Sequence, residues 1–242
     1  MTLQEIYNYL DQISPFELQE KWDNSGLIVG AMEREVEQVV VSLDIDAQMI
    51  EEAEEGTLFV VHHPLIFGGL SELDFSKYPA NLIERMIQKR QSLIAMHTNF
   101  DQTHLNKYVF EKILGFSLEE ERPFICRTRG EWHYHTLLMH LKERLDLPFV
   151  RVVGHRETIR TIAMTTGSGA SLMDEVAADC FLTGDIKYHD AIKAMNQGLM
   201  MVEIGHYESE RFFGDVMGDV LKNLPILAII TPPKNPFRVE TI

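Results

Sequence analysis

The chain has 242 residues, of which 45% are hydrophobic and 24% are charged, and its formal net charge at pH 7 is −15. This length and hydrophobic content suit one large or two small globular domains and argue against long disordered tails. The acidic charge argues against a nucleic-acid-binding or anionic-membrane-binding surface, because such surfaces need clustered Lys and Arg.

Neither the cysteines nor the N-terminal segment point to secretion. Cys126 and Cys180 are the two cysteines and form no close pairing motif, so we expect buried thiols rather than a disulfide or a thiolate zinc site. The N-terminal segment lacks the basic start and apolar stretch of a signal peptide, and no run of eighteen apolar residues occurs. We therefore expect a cytoplasmic protein with no membrane partner.

The first half of the chain predicts helices that alternate with strands. Leu3, Ile6 and Leu10 recur at helical spacing, and short apolar runs separated by turn residues follow. The predicted helices are 3–13, 47–56, 78–91 and 105–115, and the predicted strands are 36–43, 57–61 and 92–96. Such alternation favours a largely parallel sheet covered by helices.

The second half repeats this pattern after a charged segment at 117–131, which is the best candidate boundary. The predicted helices are 136–147, 171–178, 186–198 and 206–224, and the predicted strands are 149–154, 158–167, 180–184, 199–205 and 225–230. The expected fold class is α/β, with two α/β domains whose mixed or parallel sheets form a metal-binding cleft between them. We expect a first domain at 1–122, with the C-terminal segment from about 200–242 packing back on it, and a second domain at 123–199.

Histidines stand directly after three of the predicted strands. His62 and His63 follow one strand, His97 follows the next, and His206 follows the strand at 199–205. In an open α/β sheet, ligands collect outside the carboxyl ends of the strands. A single histidine is more often structural than a metal ligand, but this shared position favours a metal site.

Two carboxylates accompany these histidines. Asp101 lies four residues after His97, and Glu210 lies four residues after His206, a spacing that puts both side chains on one face of a helix. Imidazole and carboxylate together suit zinc, iron, manganese or cobalt. The set exceeds what one tetrahedral ion with an open position needs, so we expect two divalent metal ions.

Two further segments leave alternatives open. The polar residues at 183–190, which include Asp185 and His189, follow an apolar strand and suit either site groups or a polar loop with Asp185 capping a helix. The small residues at 165–171 suit either a phosphate-binding turn or a plain tight turn. The remaining histidines have no carboxylate arranged in this way and are expected not to be ligands.

The sequence resembles the Nif-three-like family, whose bacterial members are commonly labelled GTP cyclohydrolase 1 type 2. The motifs that carry the resemblance span nearly the whole chain. They are WDNSGLIVG (22–30), VVSLDID (40–46), VVHHPLIF (60–67), HTNFD (97–101), TGDIKYHD (183–190) and GHYESE (205–210). The resemblance implies a two-domain α/β fold, a dinuclear metal centre and a toroidal homohexamer. Longer members carry an inserted domain, which this chain is expected to lack.

The family's metal ligands carry over onto five positions, which are His62, His63, Asp101, His206 and Glu210. His97 matches a further polar position, and we treat it as a secondary ligand or a catalytic group for proton transfer. His189 is a second candidate catalytic group for proton transfer. The implied activity is GTP cyclohydrolase, which converts GTP and water to 7,8-dihydroneopterin triphosphate and formate. The alternatives are a metal-dependent phosphoesterase or other nucleotide hydrolase, and a non-enzymatic metal-binding regulator or scaffold.

Overall fold

The computed structural model describes residues 1–240, and these form two compact units with one β-sheet each. Unit 1 comprises 1–100 and 213–234, and unit 2 comprises 101–212 and the described residues from 235 onward. Both units combine helices with a mixed sheet, which confirms the predicted α/β class. Within residues 1–240, no helix is both long and apolar enough to cross a membrane.

Unit 1 is built on a five-stranded sheet. Its strands are β1 (Gly26–Val29), β2 (Gln38–Ser42), β3 (Leu58–Val61), β4 (Ser92–Ala95) and β11 (Leu227–Ile230). Its helices are α1 (Leu3–Ile13), α2 (Ala47–Glu52), α3 (Ala80–Gln88), α4 (Thr98–Phe100) and α9 (Phe213–Leu221), with a 3-10 turn at Phe16–Leu18. The strand order is β1-β4-β3-β2-β11.

The parallel strands of unit 1 direct their carboxyl ends to one edge of the sheet. Strands β11, β2, β3 and β4 are parallel to their neighbours, and β1 is antiparallel to β4. All four residues of β3 are buried, as expected for a central strand covered on both faces. The segments that follow β2, β3 and β4 therefore begin side by side.

Unit 2 is built on a six-stranded sheet. Its strands are β5 (Glu120–Arg122), β6 (Ile125–His133), β7 (Arg151–Val153), β8 (Thr158–Met164), β9 (Cys180–Thr183) and β10 (Met200–Glu203). Its α-helices are α5 (Asn106–Tyr108), α6 (Tyr134–Leu145), α7 (Tyr188–Gln197) and α8 (His206–Glu210). Two π-helical turns, Asp101–Leu105 and Val109–Ile113, flank α5, and Ala170–Asp174 is a 3-10 turn. The strand order is β5-β6-β8-β9-β10-β7, and β8, β9 and β10 are parallel.

The compact units change at residues 100/101, whereas the sequence suggested a boundary near residue 122. Asn106 ties the segment after residue 100 to unit 2, because its Nδ2 donates to the carbonyl of Phe124 (3.2 Å) and its Oδ1 accepts the amide of Thr166 (2.7 Å). The C-terminal strand β11 pairs with β2 in unit 1. Whether 1–122 and 123–199 are separate folding domains stays a prediction.

Candidate metal centre

Three histidines of unit 1 lie together at the carboxyl edge of its sheet. His62 and His63 follow β3 directly, and His97 lies two residues after the neighbouring strand β4. One ring nitrogen from each of the three lies within 4.8 Å of the others. The ring centroids of His62 and His97 are 5.1 Å apart, and those of His63 and His97 are 5.6 Å apart. Adjacent parallel strands thus produce the cluster that their order in the sequence predicted.

Each of these imidazoles has its Nδ1 fixed by an oxygen. His62 Nδ1 donates to the carbonyl of Met96 at 2.9 Å, and His63 Nδ1 donates to Oδ1 of Asp44 at 2.8 Å. An acceptor at Nδ1 holds the proton there and orients the ring, which leaves Nε2 as the nitrogen with a lone pair for a metal. This tautomer and orientation are typical of metal-ligating histidines.

His97 is held in the same way by Asp23, whose side chain is fully buried. His97 Nδ1 donates to Oδ1 of Asp23 at 2.7 Å, while the amide of Thr98 (3.1 Å) and the hydroxyl of Ser25 (3.0 Å) donate to Oδ2. Burial opposes the charge on Asp23, but the hydrogen bonds from His97 and Thr98 outweigh it and lower the pKa of Asp23 well below its usual value. Asp23 therefore stays an acceptor for His97 at any working pH.

In unit 2, His206 is held between two carboxylates. Its Nδ1 lies 2.6 Å from Oδ2 of Asp185, and its Nε2 lies 3.0 Å from Oε2 of Glu210, one helical turn along α8. Burial disfavours the charged ring, but the bonds to Asp185 and Glu210 outweigh it and raise the pKa of His206 to about 11. In the metal-free protein, the proton on Nε2 of His206 is hydrogen-bonded to Glu210. A metal ion bound at Nε2 would displace that proton.

Asp101 and Glu210 bring two buried carboxylates together within unit 2. One oxygen from each lies within 4.8 Å of the other, and the hydroxyl of Thr166 lies 3.4 Å from Oδ1 of Asp101. Glu210 packs against Gly167, because a Cβ added at that glycine would lie 1.9 Å from Oε1 of Glu210. The predicted ligands of unit 2, Asp101, His206 and Glu210, are therefore neighbours.

The small-residue segment after β8 is a tight turn whose amides are used within unit 2. The amide of Gly167 donates to Oγ of Ser209 (3.1 Å), and that of Gly169 donates to Oγ1 of Thr183 (2.9 Å). The amide of Thr166 donates to Asn106. Of the two alternatives for 165–171, the structure supports the tight turn, since these three donors already have protein acceptors.

A cavity of about 340 Å³ opens beside His206 within unit 2. Its lining combines apolar and aromatic side chains with carboxylates, among them Leu147, Phe149, Phe237, Tyr207, Asp185, Glu203 and Glu208. His189 lies on the exposed first turn of α7, where its ring contacts Tyr188 at 5.4 Å. Its role in proton transfer stays a prediction.

The sequence reasoning missed Asp23 and Asp44 and left Asp185 undecided. Asp44 lies two residues after β2, and Asp185 lies two residues after β9. The position of these two carboxylates just past a parallel strand could have indicated that they belong to the site, because the histidines were recognised by the same kind of position. Asp23 follows no strand and could not be found in this way.

The donor set fits divalent transition metals. Unit 1 offers three imidazoles, and unit 2 offers one imidazole and two carboxylates, a mixture that suits zinc, iron, manganese or cobalt. The two cysteines are buried free thiols and take no part.

Comparisons with known proteins agree with one another. The family model Duf34/NIF3 (NGG1p interacting factor 3) matches residues 1–235. A Campylobacter jejuni protein named GTP cyclohydrolase 1 type 2 homolog is 46% identical, covering 98% of this chain and 99% of its own. A Helicobacter pylori protein named GTP cyclohydrolase 1 type 2 is 38% identical, covering 98% of each. A solved structure of a Staphylococcus aureus protein shares the fold, with a TM-score of 0.84, 24% identity and 99% coverage of both chains.

Proposed function

The chain belongs to the Duf34/NIF3 family, and from that premise we propose that it is a divalent-metal-dependent hydrolase whose reaction is that of a GTP cyclohydrolase. GTP and water would give 7,8-dihydroneopterin triphosphate and formate. The names of its relatives supply the substrate. The observation that carries the metal dependence is the pattern of imidazoles with Nδ1 fixed on an oxygen acceptor.

We assign the metal ligands to five side chains, which are His62, His63, Asp101, His206 and Glu210. Two ions would use this set fully, since one tetrahedral ion with an open position needs three protein ligands. Bound divalent ions would supply Lewis-acid activation of water near neutral pH. The residues of the chain orient the ligands: Met96, Asp44 and Asp185 hold the Nδ1 atoms of His62, His63 and His206.

We assign His97 to proton transfer at the centre or to a secondary ligand position. Its ring lies in the unit 1 cluster, and its bond to Asp23 presents Nε2 as the basic atom. His189 is the second candidate for proton transfer. The proposal also includes the homohexamer implied by the family, which a mass measurement of the protein in solution tests directly.

Metal-loaded protein incubated with GTP tests the reaction. We expect formate together with a pterin product, and we expect His63→Ala to lose at least about a hundredfold in rate, since removing a ligand disrupts the centre. His155→Ala is the matched control, because His155 is an exposed histidine of unit 2 outside the clusters. Inorganic phosphate without formate would instead identify a phosphoesterase. Equal formate release from wild type and His63→Ala would contradict the proposal.

A further inference from the structure

Two large aromatic side chains of unit 1 stand exposed beside its histidine cluster. Trp22 is 60% exposed and Phe67 is 51% exposed. The ring of Trp22 lies 6.0 Å from that of His97 at 76°, and the ring of Phe67 lies 5.7 Å from it at 81°. Both aromatic rings thus meet His97 edge to face, and both keep much of their surface open to solvent.

The backbone around these two rings is anchored. Asp23, directly after Trp22, is the buried carboxylate that holds His97 and Thr98. Asn24 donates from Nδ2 to the carbonyl of Ile66, directly before Phe67, at 2.8 Å. The Trp22 segment and the Phe67 segment are therefore joined to each other and to the cluster, so the backbone that carries the two exposed rings is held beside His97.

We propose that Trp22 and Phe67 form a stacking site for a flat heterocyclic ring, the base of a nucleoside, beside the histidine cluster. This deepens the proposed function and rests on it, because it takes that cluster as part of the metal centre. Aromatic faces are sequence-tolerant platforms for bases, and a held backbone reduces the entropy that the two segments lose on binding. The two aromatic rings offer uncharged faces that suit a base, so we assign the base of a nucleotide, and not its phosphates, to them.

Tryptophan fluorescence tests the contact directly, because Trp22 and Trp132 are the two tryptophans in the chain. In zinc-loaded Trp132→Phe protein the emission comes from Trp22 alone. We expect saturable quenching by guanosine and none by inorganic triphosphate. Should Trp132→Phe fail to fold, the difference between wild type and Trp22→Phe gives the same signal.

Equilibrium dialysis with labelled guanosine then separates stacking from general apolar contact. Phe67→Leu keeps the apolar bulk without the aromatic face, and it should weaken binding by about five- to a hundredfold. Phe67→Tyr keeps the face and should bind as wild type. Phe75→Ala is the matched control, since Phe75 is another exposed aromatic residue (45%) nearby in the sequence, outside the cluster contacts.

Several results would overturn the inference. The first is quenching by triphosphate but not by guanosine, and the second is equal guanosine affinity in wild type and Phe67→Leu. The third is quenching that depends on protein concentration alone, which would mean that a second copy of the chain covers the rings. Formate release from GTP without guanosine stacking would overturn this inference and leave the proposed function standing. Guanosine stacking without formate release would support the stacking site and overturn the proposed reaction.

Discussion

Replacing Gly167 with alanine tests whether unit 2 holds the Glu210 carboxylate in a fixed position for metal. The new Cβ would lie 1.9 Å from Oε1 of Glu210, so the carboxylate must move by roughly 1.5 Å to reach an ordinary contact. The backbone φ of +57° adds a second cost of about 1–2 kcal/mol in the free energy of unfolding, because a side chain crowds the backbone in the left-handed region. Displacing a buried ligand should lower the affinity for zinc by about ten- to a hundredfold.

Gly56→Ala is the matched control for this variant. Gly56 also has a positive φ of +77°, but nothing lies within 4 Å of an added Cβ, so it carries the backbone cost alone. Chemical unfolding of the metal-free proteins should show a loss of stability for both variants, and a larger loss for Gly167→Ala because the clash with Glu210 adds to the backbone cost. Zinc titration should show weaker binding for Gly167→Ala only. Equal zinc affinities in the two variants would refute the role assigned to Glu210.

Three further predictions concern titration and burial. Asp23→Asn should cost about 1–3 kcal/mol of unfolding free energy in metal-free protein at pH 7, because it leaves a buried donor of His97 or Thr98 without an acceptor. That difference should shrink as the pH falls below about 4, since a carboxylate with a lowered pKa stabilises only while it is ionised; urea unfolding at several pH values measures this. The pKa of His206 is raised to about 11, so the protonated ring stabilises the metal-free fold. This stabilisation is complete below about pH 6.5, the pKa of the unfolded state, and it is lost as the pH rises through 11. Zinc should therefore release a proton on binding, and its affinity should rise with pH; a pH indicator in weak buffer detects the proton, and a pH-independent affinity would contradict it. Burial raises the pKa of the Cys126 thiol to about 12 and also raises that of the second buried thiol, so a thiol reagent should label the native protein far more slowly than the unfolded chain.

Much of the histidine arrangement could be predicted from the sequence. The strands before His62 and before His97 are short, apolar and separated by one helix, and this pattern forces a right-handed crossover between parallel strands. Parallel neighbours end at the same edge, so the residues just past their ends must approach one another.

The acidic partner of His97 could not be predicted in the same way. Asp23 is 74 residues from His97 in the sequence, and it lies in a loop whose course no periodicity specifies. Its position depends on bonds such as that from Ser25 to Asp23, which form only once the tertiary fold exists. Local patterns carry no information about such long-range pairs.

The charged segment at 117–131, which the sequence suggested as a boundary, contains regular structure. Strands β5 and β6 pair across it as antiparallel strands. Arg127 on β6 forms an ion pair with Glu120 on β5 at 2.8 Å, while Ile125 and Cys126 are buried. An antiparallel edge can hold an ion pair between its strands and still contribute to a core, so a charged segment can form strands as well as a link.

The two sheets, taken one at a time, use the same device to orient a histidine. In unit 1, Asp44 lies just past β2 and holds Nδ1 of His63, just past its parallel neighbour β3. In unit 2, Asp185 lies just past β9 and holds Nδ1 of His206, just past its parallel neighbour β10. Parallel neighbours end level with each other, so a carboxylate on one and an imidazole on the next come within hydrogen-bonding distance with little need of a special loop. The chemistry of each half of the proposed centre therefore follows from the topology of its own sheet.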